Sequence, residues 1–195
     1  VSNVMNMQSM FYNANAFNQP IGDWNTSAVT NMIAVFNRAT DFNQSIGDWN
    51  TSSVTMMNDM FFMANAFDQP IGNWDTSSVT LMPGMFYQAS SFNQDLSDWN
   101  VSAATGMGGM FNDANALSNA HKGLIHTSFS SNSNWPYSSW SAHVPAPASL
   151  TNANFQTAVN LWCTDKAAAF ATHGHIRDWN VSGVTDMNEA FKDKT

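Results

Sequence analysis

The feature that most constrains this chain is a repeat with a period of 25 residues. Trp24, Trp49, Trp74 and Trp99 stand at that step, as do Phe11, Phe36, Phe61, Phe86 and Phe111. Met7, Met32, Met57, Met82 and Met107 form a third column, and Ala14, Ala39, Ala64, Ala89 and Ala114 a fourth. Phe17, Phe42, Phe67, Phe92 and Leu117 add a fifth, and Ile21, Ile46, Ile71 and Leu96 a sixth. Columns held in register over so many copies are the mark of a repeat architecture in which each unit contacts its neighbours. A single unit cannot bury its own Met, Phe, Ile and Trp. Parallel stacking turns them into a continuous apolar column, each coil rising about 4.8 Å where strands pair.

Within one unit, Met32, Val35, Phe36 and Ala39 fall at i, i+3, i+4 and i+7. That spacing predicts one face of a short helix, with Thr30 placed to cap its first N–H groups. Ile46 to Trp49 is too short for a helix and reads as a brief extended segment. Asn50-Thr51-Ser52 then turns the chain back. The expected fold class is an α/β repeat solenoid, with a short helix and a short strand per unit.

Polar columns accompany the apolar ones. Asn18, Asn43, Asp68 and Asn93 recur together, as do Asn25, Asn50, Asp75 and Asn100. Side-chain oxygens stacked in this way can satisfy turn backbone that the stack would otherwise bury unpaired. Asp23, Asp48, Asn73 and Asp98 form a further column of mostly like charge, readable as a solvated edge or as a calcium ladder. Asn25, Asn50, Asn100 and Asn180 each open an N-x-Ser sequon at one turn column, and Asn43 opens a fifth. They are possible glycosylation sites, or simply good turn formers.

Charged residues make up only 10% of the chain, against about 25% in an average soluble domain. Fourteen acidic residues outnumber six basic ones, for a net charge of −8. That balance disfavours nucleic acid and anionic membrane surfaces, both of which need clustered Lys and Arg. Eighteen consecutive apolar residues occur nowhere, so no membrane insertion is expected. Cys163 stands alone and makes neither an internal disulfide nor a thiolate zinc cage. The five histidines are scattered, and His173-Gly174-His175 is a weak metal pair. No phosphate loop, nucleophile elbow or paired-carboxylate pattern is present. The expectation is a protein that is not an enzyme and has no cofactor.

The period lapses after Leu117. Residues 1–117 read as the repeat stack of about five units and 118–142 as a C-terminal cap. Residues 143–150 read as a Pro-containing linker. Phe155, Val159 and Trp162 predict an amphipathic helix over Thr151 to Cys163, capped by Thr151 or Asn152. A second short helix follows over Lys166 to Ala171, ended by Gly174. The columns then resume at Ile176, Trp179, Val184, Met187 and Phe191. Residues 151–195 therefore read as an N-terminal cap helix and the first partial repeat of a following module.

The string Met-Phe-x-x-Ala-x-x-Phe-Asn-Gln-x-Ile-Gly-Asp-Trp-Asn-Thr-Ser-x-Val-Thr resembles the BspA-like bacterial surface repeat. That family is described as a mycoplasma lipoprotein-type domain of unknown function, related to leucine-rich repeats. The resemblance spans residues 1–117 and resumes over 175–195. It implies a leucine-rich-repeat-like right-handed coil stack, an extracellular or cell-surface setting and roles in adhesion. It implies no catalytic residues.

Both ends of the sequence fall inside a repeat. The expected partner is therefore another copy, joined head to tail into a fibre or long surface array. Val1, Met7, Phe11 and Phe17 would form one side of the contact. Phe155, Trp162, Trp179, Met187 and Phe191 would form the other. The alternative is a surface adhesin whose lateral face binds a glycan or a host protein.

Overall fold

A computed structural model describes residues 3–194. Its first part is a stack of 25-residue units joined by backbone hydrogen bonds between neighbours. The amides of Met7, Ser9, Phe11 and Asn13 each donate at 2.9 Å to the carbonyls of Asn31, Ile33, Val35 and Asn37. The pattern recurs one unit on, where Met32, Ala34, Phe36 and Arg38 donate to Met56, Asn58, Met60 and Phe62. Parallel bridges link Asn6 to Asn31, Asn31 to Met56, Met56 to Leu81 and Leu81 to Gly106. The repeat period thus becomes the hydrogen-bond period.

The segment expected to be a short helix is not one. Between the ladder donors, Met10, Tyr12 and Ala14 donate to the carbonyls three residues earlier, so local turns alternate with bonds to the next unit. Every fourth residue takes positive φ: Ser9 and Asn13, Ala34 and Arg38, Asp59 and Met63. A left-handed residue costs about 1–2 kcal/mol and breaks an α-helix. Here it turns alternate amides outward to the neighbouring unit. Thr30 is accordingly no helix cap. Its amide and hydroxyl donate to the Met5 carbonyl, and Thr55, Thr80 and Thr105 repeat the contact one unit further each time. The extended segment expected over Ile46 to Trp49 is instead a turn closed by the Trp49 amide on the Ile46 carbonyl at 3.1 Å.

Side chains at the repeat columns form the core. Phe36, Phe61 and Phe86 are fully buried, with adjacent rings 5.5 Å apart and nearly parallel. Phe42, Phe67 and Phe92 form a second ring column beside them. Trp49, Trp74 and Trp99 are 2–3% exposed. Burying such a side chain contributes about 1.5–3 kcal/mol. At Gly47 a Cβ would lie 2.7 Å from the Pro70 carbonyl oxygen of the next unit, and Gly22 and Gly72 are confined in the same way. The column becomes Ser97 in the fourth unit, where the Ser97 carbonyl accepts from Ser128 of the cap instead.

Residues 118–142 close the far end of the stack. Helix α1 (Asn119–Phe129) is capped by Ser118, whose hydroxyl accepts from the His121 amide. A 3-10 helix follows at Ser138–His143. Trp135 and Tyr137 meet Phe111 edge-on and end its ring column. The Tyr137 hydroxyl accepts from the Phe111 amide at 2.7 Å, so the cap supplies an acceptor where a further unit would have offered a carbonyl.

Residues 143–150, expected as a Pro-containing linker, run into a strand at their end. Ser149–Thr151 is a strand, β1, paired in parallel with β2 (Asn180–Gly183). Leu150 is 1% exposed, because it belongs to a second small core with Phe155, Val159, Trp179 and Ala190. Between the strands run helices α2 (Phe155–Thr164) and α3 (Lys166–His173). Helix α2 begins later than expected, since Asn154 precedes it and uses its side-chain oxygen to accept from the Thr151 amide. Gly174, at φ 73°, ends α3. This segment lies against the cap and the fourth unit: Arg177 donates to the Thr127 carbonyl, and Lys166 bonds Asp95 and Asp98 at 3.1 Å each.

Candidate functional site

Two surfaces depart from the buried pattern, and both are faces of the repeat. The first is the outer side of the first unit. Phe11 stacks on Phe17 at 4.0 Å and on Phe36 at 5.5 Å and is half-buried, as are Phe17 and Trp24. Met5, Met10 and Tyr12 beside them are 62%, 48% and 49% exposed. Met7, expected to face water here, is buried, because the second unit covers it. Val1 lies outside the described residues.

The second surface is the outer side of residues 186–194. These residues repeat the conformation of the stack: Glu189 and Asp193 have φ 53° and 57°, matching Ser9 and Asn13 at 57°. The Asn188 amide donates to the Asp186 carboxylate as the Gln8 amide donates to Asn6. Ala190 packs inward on the second core, while Met187 and Phe191 are 48% and 51% exposed. Phe155 and Trp179, expected at the intermolecular contact, are buried inside their own segment. The Trp179 indole is committed there too, donating to the Gly174 carbonyl at 3.2 Å. Trp162 is half-buried, edge-on to Trp179 and His175. The structure does not bring the two sets of expected contact residues together within one copy.

The lateral faces are polar and ordered. The Asn18 side-chain oxygen accepts from the Asn43 amide, and Asn43, Asp68 and Asn93 each accept from the following unit in the same way. Gln44, Gln69 and Gln94 add a side-chain donor to each of those oxygens. On Asn93 that donor position is taken by the His121 ring at 2.8 Å. Burial holds the His121 imidazole below its ordinary pKa, against the pull of Asp95, Asp68 and Asp165. Burial also pushes the Tyr137 phenol up, with its hydrogen bonds to Phe111 and Asn112 opposing.

Asn25, Asn50, Asn100 and Asn180 are exposed at their turns, where each side-chain oxygen accepts from the amide two residues on. Asn43 is half-buried, and its oxygen is already bonded within the ladder. Asp23, Asp48 and Asp98 are exposed. No cluster of three His, Cys, Asp or Glu suited to a metal ion occurs among the described residues. Cys163 is half-buried against the second core. The groove lined by Pro70, Gly72, Asn73, Gln94, Asp95 and Asp98 is about 260 Å³, and Lys166 reaches Asp95 and Asp98 on its rim. A second, of about 430 Å³, lies where the cap meets Arg177 and Asp178. Among the described residues no helix is long and apolar enough to cross a membrane.

Sequence reasoning missed Lys166 and Tyr137. Neither belongs to a repeat column, so the period carries no signal for them. The threonine ladder was visible as a column at Thr30, Thr55, Thr80 and Thr105, but its role was assigned to a helix cap.

The family model described as Mycoplasma protein of unknown function, DUF285, matches residues 1–71, 45–134 and 150–195. The chain belongs to that family, and the three matches make it a repeat protein. No curated protein and no solved structure matches it.

Proposed function

We propose that this chain is a non-enzymatic, extracellular structural repeat protein, its units the coils of a right-handed, leucine-rich-repeat-like solenoid that assembles head to tail. The resemblance to BspA-like surface repeats supports the cell-surface setting. One observation carries the assembly: the half-exposed apolar faces at Phe11 and Phe191 both have the backbone conformation of the stack's interior, where the equivalent Phe36 and Phe61 are fully buried. Exposed apolar surface of this kind marks a contact site. A heterologous contact between different faces propagates into a fibre or array unless its rotation closes a ring.

An adhesin would engage a glycan or host protein on the lateral face instead. The buried tryptophan column disfavours stacking of sugars on indoles, which leaves the grooves at Asp98 and Arg177 for that reading. Electron microscopy of the purified protein separates the two. Linear particles joined at their ends support assembly. Uniform single particles at all concentrations exclude it.

A further inference from the structure

The groove between the cap and residues 177–178 is built from side chains that the repeat does not require. Gly22, Gly47 and Gly72 hold one column because a Cβ there would lie 2.7–2.8 Å from a neighbouring carbonyl oxygen. Arg177 stands in that column, and Asp178 keeps the next one, shared with Asp23, Asp48 and Asp98. The exchange sets a guanidinium beside a carboxylate, with Arg177 Nε 3.5 Å from Asp178 Oδ2. Arg177 Nη2 also donates to the Thr127 carbonyl at 3.3 Å, which turns the side chain back towards the cap.

The cap's side of the groove is oriented as well. His126 Nδ1 accepts from the Trp135 indole N–H at 3.1 Å, and an indole can only donate. The neutral His126 ring therefore carries its proton on Nε2, which meets no acceptor among the described residues. The hydroxyls of Ser130 and Ser141 are likewise unbonded among the described residues, and both residues are exposed. Val144, 37% exposed, is the groove's apolar side chain. The volume of about 430 Å³ falls within the roughly 300–1,000 Å³ of small-molecule sites.

These groups select among ligands. A peptide helix or an apolar small molecule needs a mostly apolar lining, which Val144 alone does not supply. An anion would meet Arg177 and His126 but also the Asp178 carboxylate, in a chain of net charge −8. A saccharide satisfies the whole set. Each of its hydroxyls offers one donor and two lone pairs, so neighbouring hydroxyls can bond a carboxylate and a guanidinium side by side.

We propose that this groove binds a neutral saccharide, with Asp178 accepting from one hydroxyl and Arg177 and His126 Nε2–H donating to its neighbours. The site gives a ligand class to the lateral-binding reading, on which it rests, and is independent of end-to-end assembly.

Saturation-transfer NMR with the methyl glycosides of mannose, galactose and glucose tests it, with N-acetylneuraminic acid as the acidic counterpart. At least one neutral glycoside should receive saturation from the parent protein. Arg177→Gly restores the residue that the repeat carries at this column and so spares the fold. It should weaken that binding roughly tenfold or more. Asp178→Asn, which keeps the shape of the side chain, should weaken it too. Transfer that survives both variants but is lost in Asp98→Asn would move the sugar to the Asp98 groove, overturning this site and leaving lateral binding standing. Transfer to N-acetylneuraminic acid alone would overturn the neutral class. Transfer that no variant changes, or none to any of the sugars, would overturn the proposal outright.

Discussion

The indole N–H of Trp49 donates to the backbone carbonyl of Ile21 at 3.1 Å, across a separation of 28 residues. Trp74 does the same to Ile46, and Trp99 to Ile71 at 2.9 Å. Each tryptophan thus fills the core and satisfies a turn of the preceding unit. Trp74→Phe should remove one of the two donors to the Ile46 carbonyl, which keeps the Trp49 amide, at a cost of about 0.5–1.5 kcal/mol. Denaturant unfolding measures it, and an unchanged midpoint would show that the bond contributes nothing.

Phe61 lies between Phe36 and Phe86, with both ring faces covered. Phe61→Ala should lower stability by about 3–5 kcal/mol. Phe11→Ala should cost less, because Phe11 is only half-buried in the single chain whereas Phe61 is fully buried. Equal losses in dilute, monomeric protein would contradict the stacked-column account.

Gly84 has φ 62°, and a Cβ there would run into the Asp59 carboxylate oxygen. Gly84→Ala should therefore destabilise through left-handed strain of about 1–2 kcal/mol and through displacement of Asp59. Arg38→Gly, at an exposed position with φ 61°, removes a similar strain and should leave the melting temperature unchanged or raised. Thermal unfolding of the pair distinguishes this turn ladder from a helix, in which Arg38→Gly would be destabilising.

His121 is held below the usual histidine pKa by burial, and His175 by burial and by Arg177. The unfolded chain therefore takes up these protons first. The stability tied to the neutral rings is present above about pH 6.5 and is lost as the pH falls through that value towards the depressed folded pKa. His121→Gln keeps a donor for Asn93, as Gln94 does for Asp68, and removes one titration. The fall in melting temperature from about pH 7 to pH 5 should become shallower, and a profile identical to the parent's would refute this role for His121.

The core was legible in the sequence because each column residue has the same neighbours in every unit, so Phe36, Trp49 and Met57 could be placed inside without knowing the turn geometry. The backbone between them was not. Spacing of i, i+3, i+4 and i+7 puts Met32, Val35, Phe36 and Ala39 on one side of a helix, and a ladder with a left-handed residue every fourth position does the same. The distinguishing signal lay in the other columns. Asp59, Gly84 and Gly109 align with Ala34, and Asn13 and Asp113 with Arg38. Gly, Asn and Asp are the residues that tolerate positive φ, and their recurrence inside an expected helix marks its absence. The cap was legible only as a loss of period, since Tyr137 acts through contacts that no repeat foreshadows, and the same holds for Lys166 in the segment packed beside it. Phe11 and Phe191, expected at an intermolecular contact, were legible as repeat columns; that they are half-buried and half-exposed follows only from the structure.

Sedimentation velocity over a wide concentration range tests end-to-end assembly most directly. The account predicts a weight-average mass that rises well above the 21.4 kDa of one chain. Phe191→Asp should return it to a monomer with an unchanged far-ultraviolet spectrum, since Phe191 is half exposed in the single copy. A single 21.4 kDa species at every concentration, for parent and variant alike, would contradict the account.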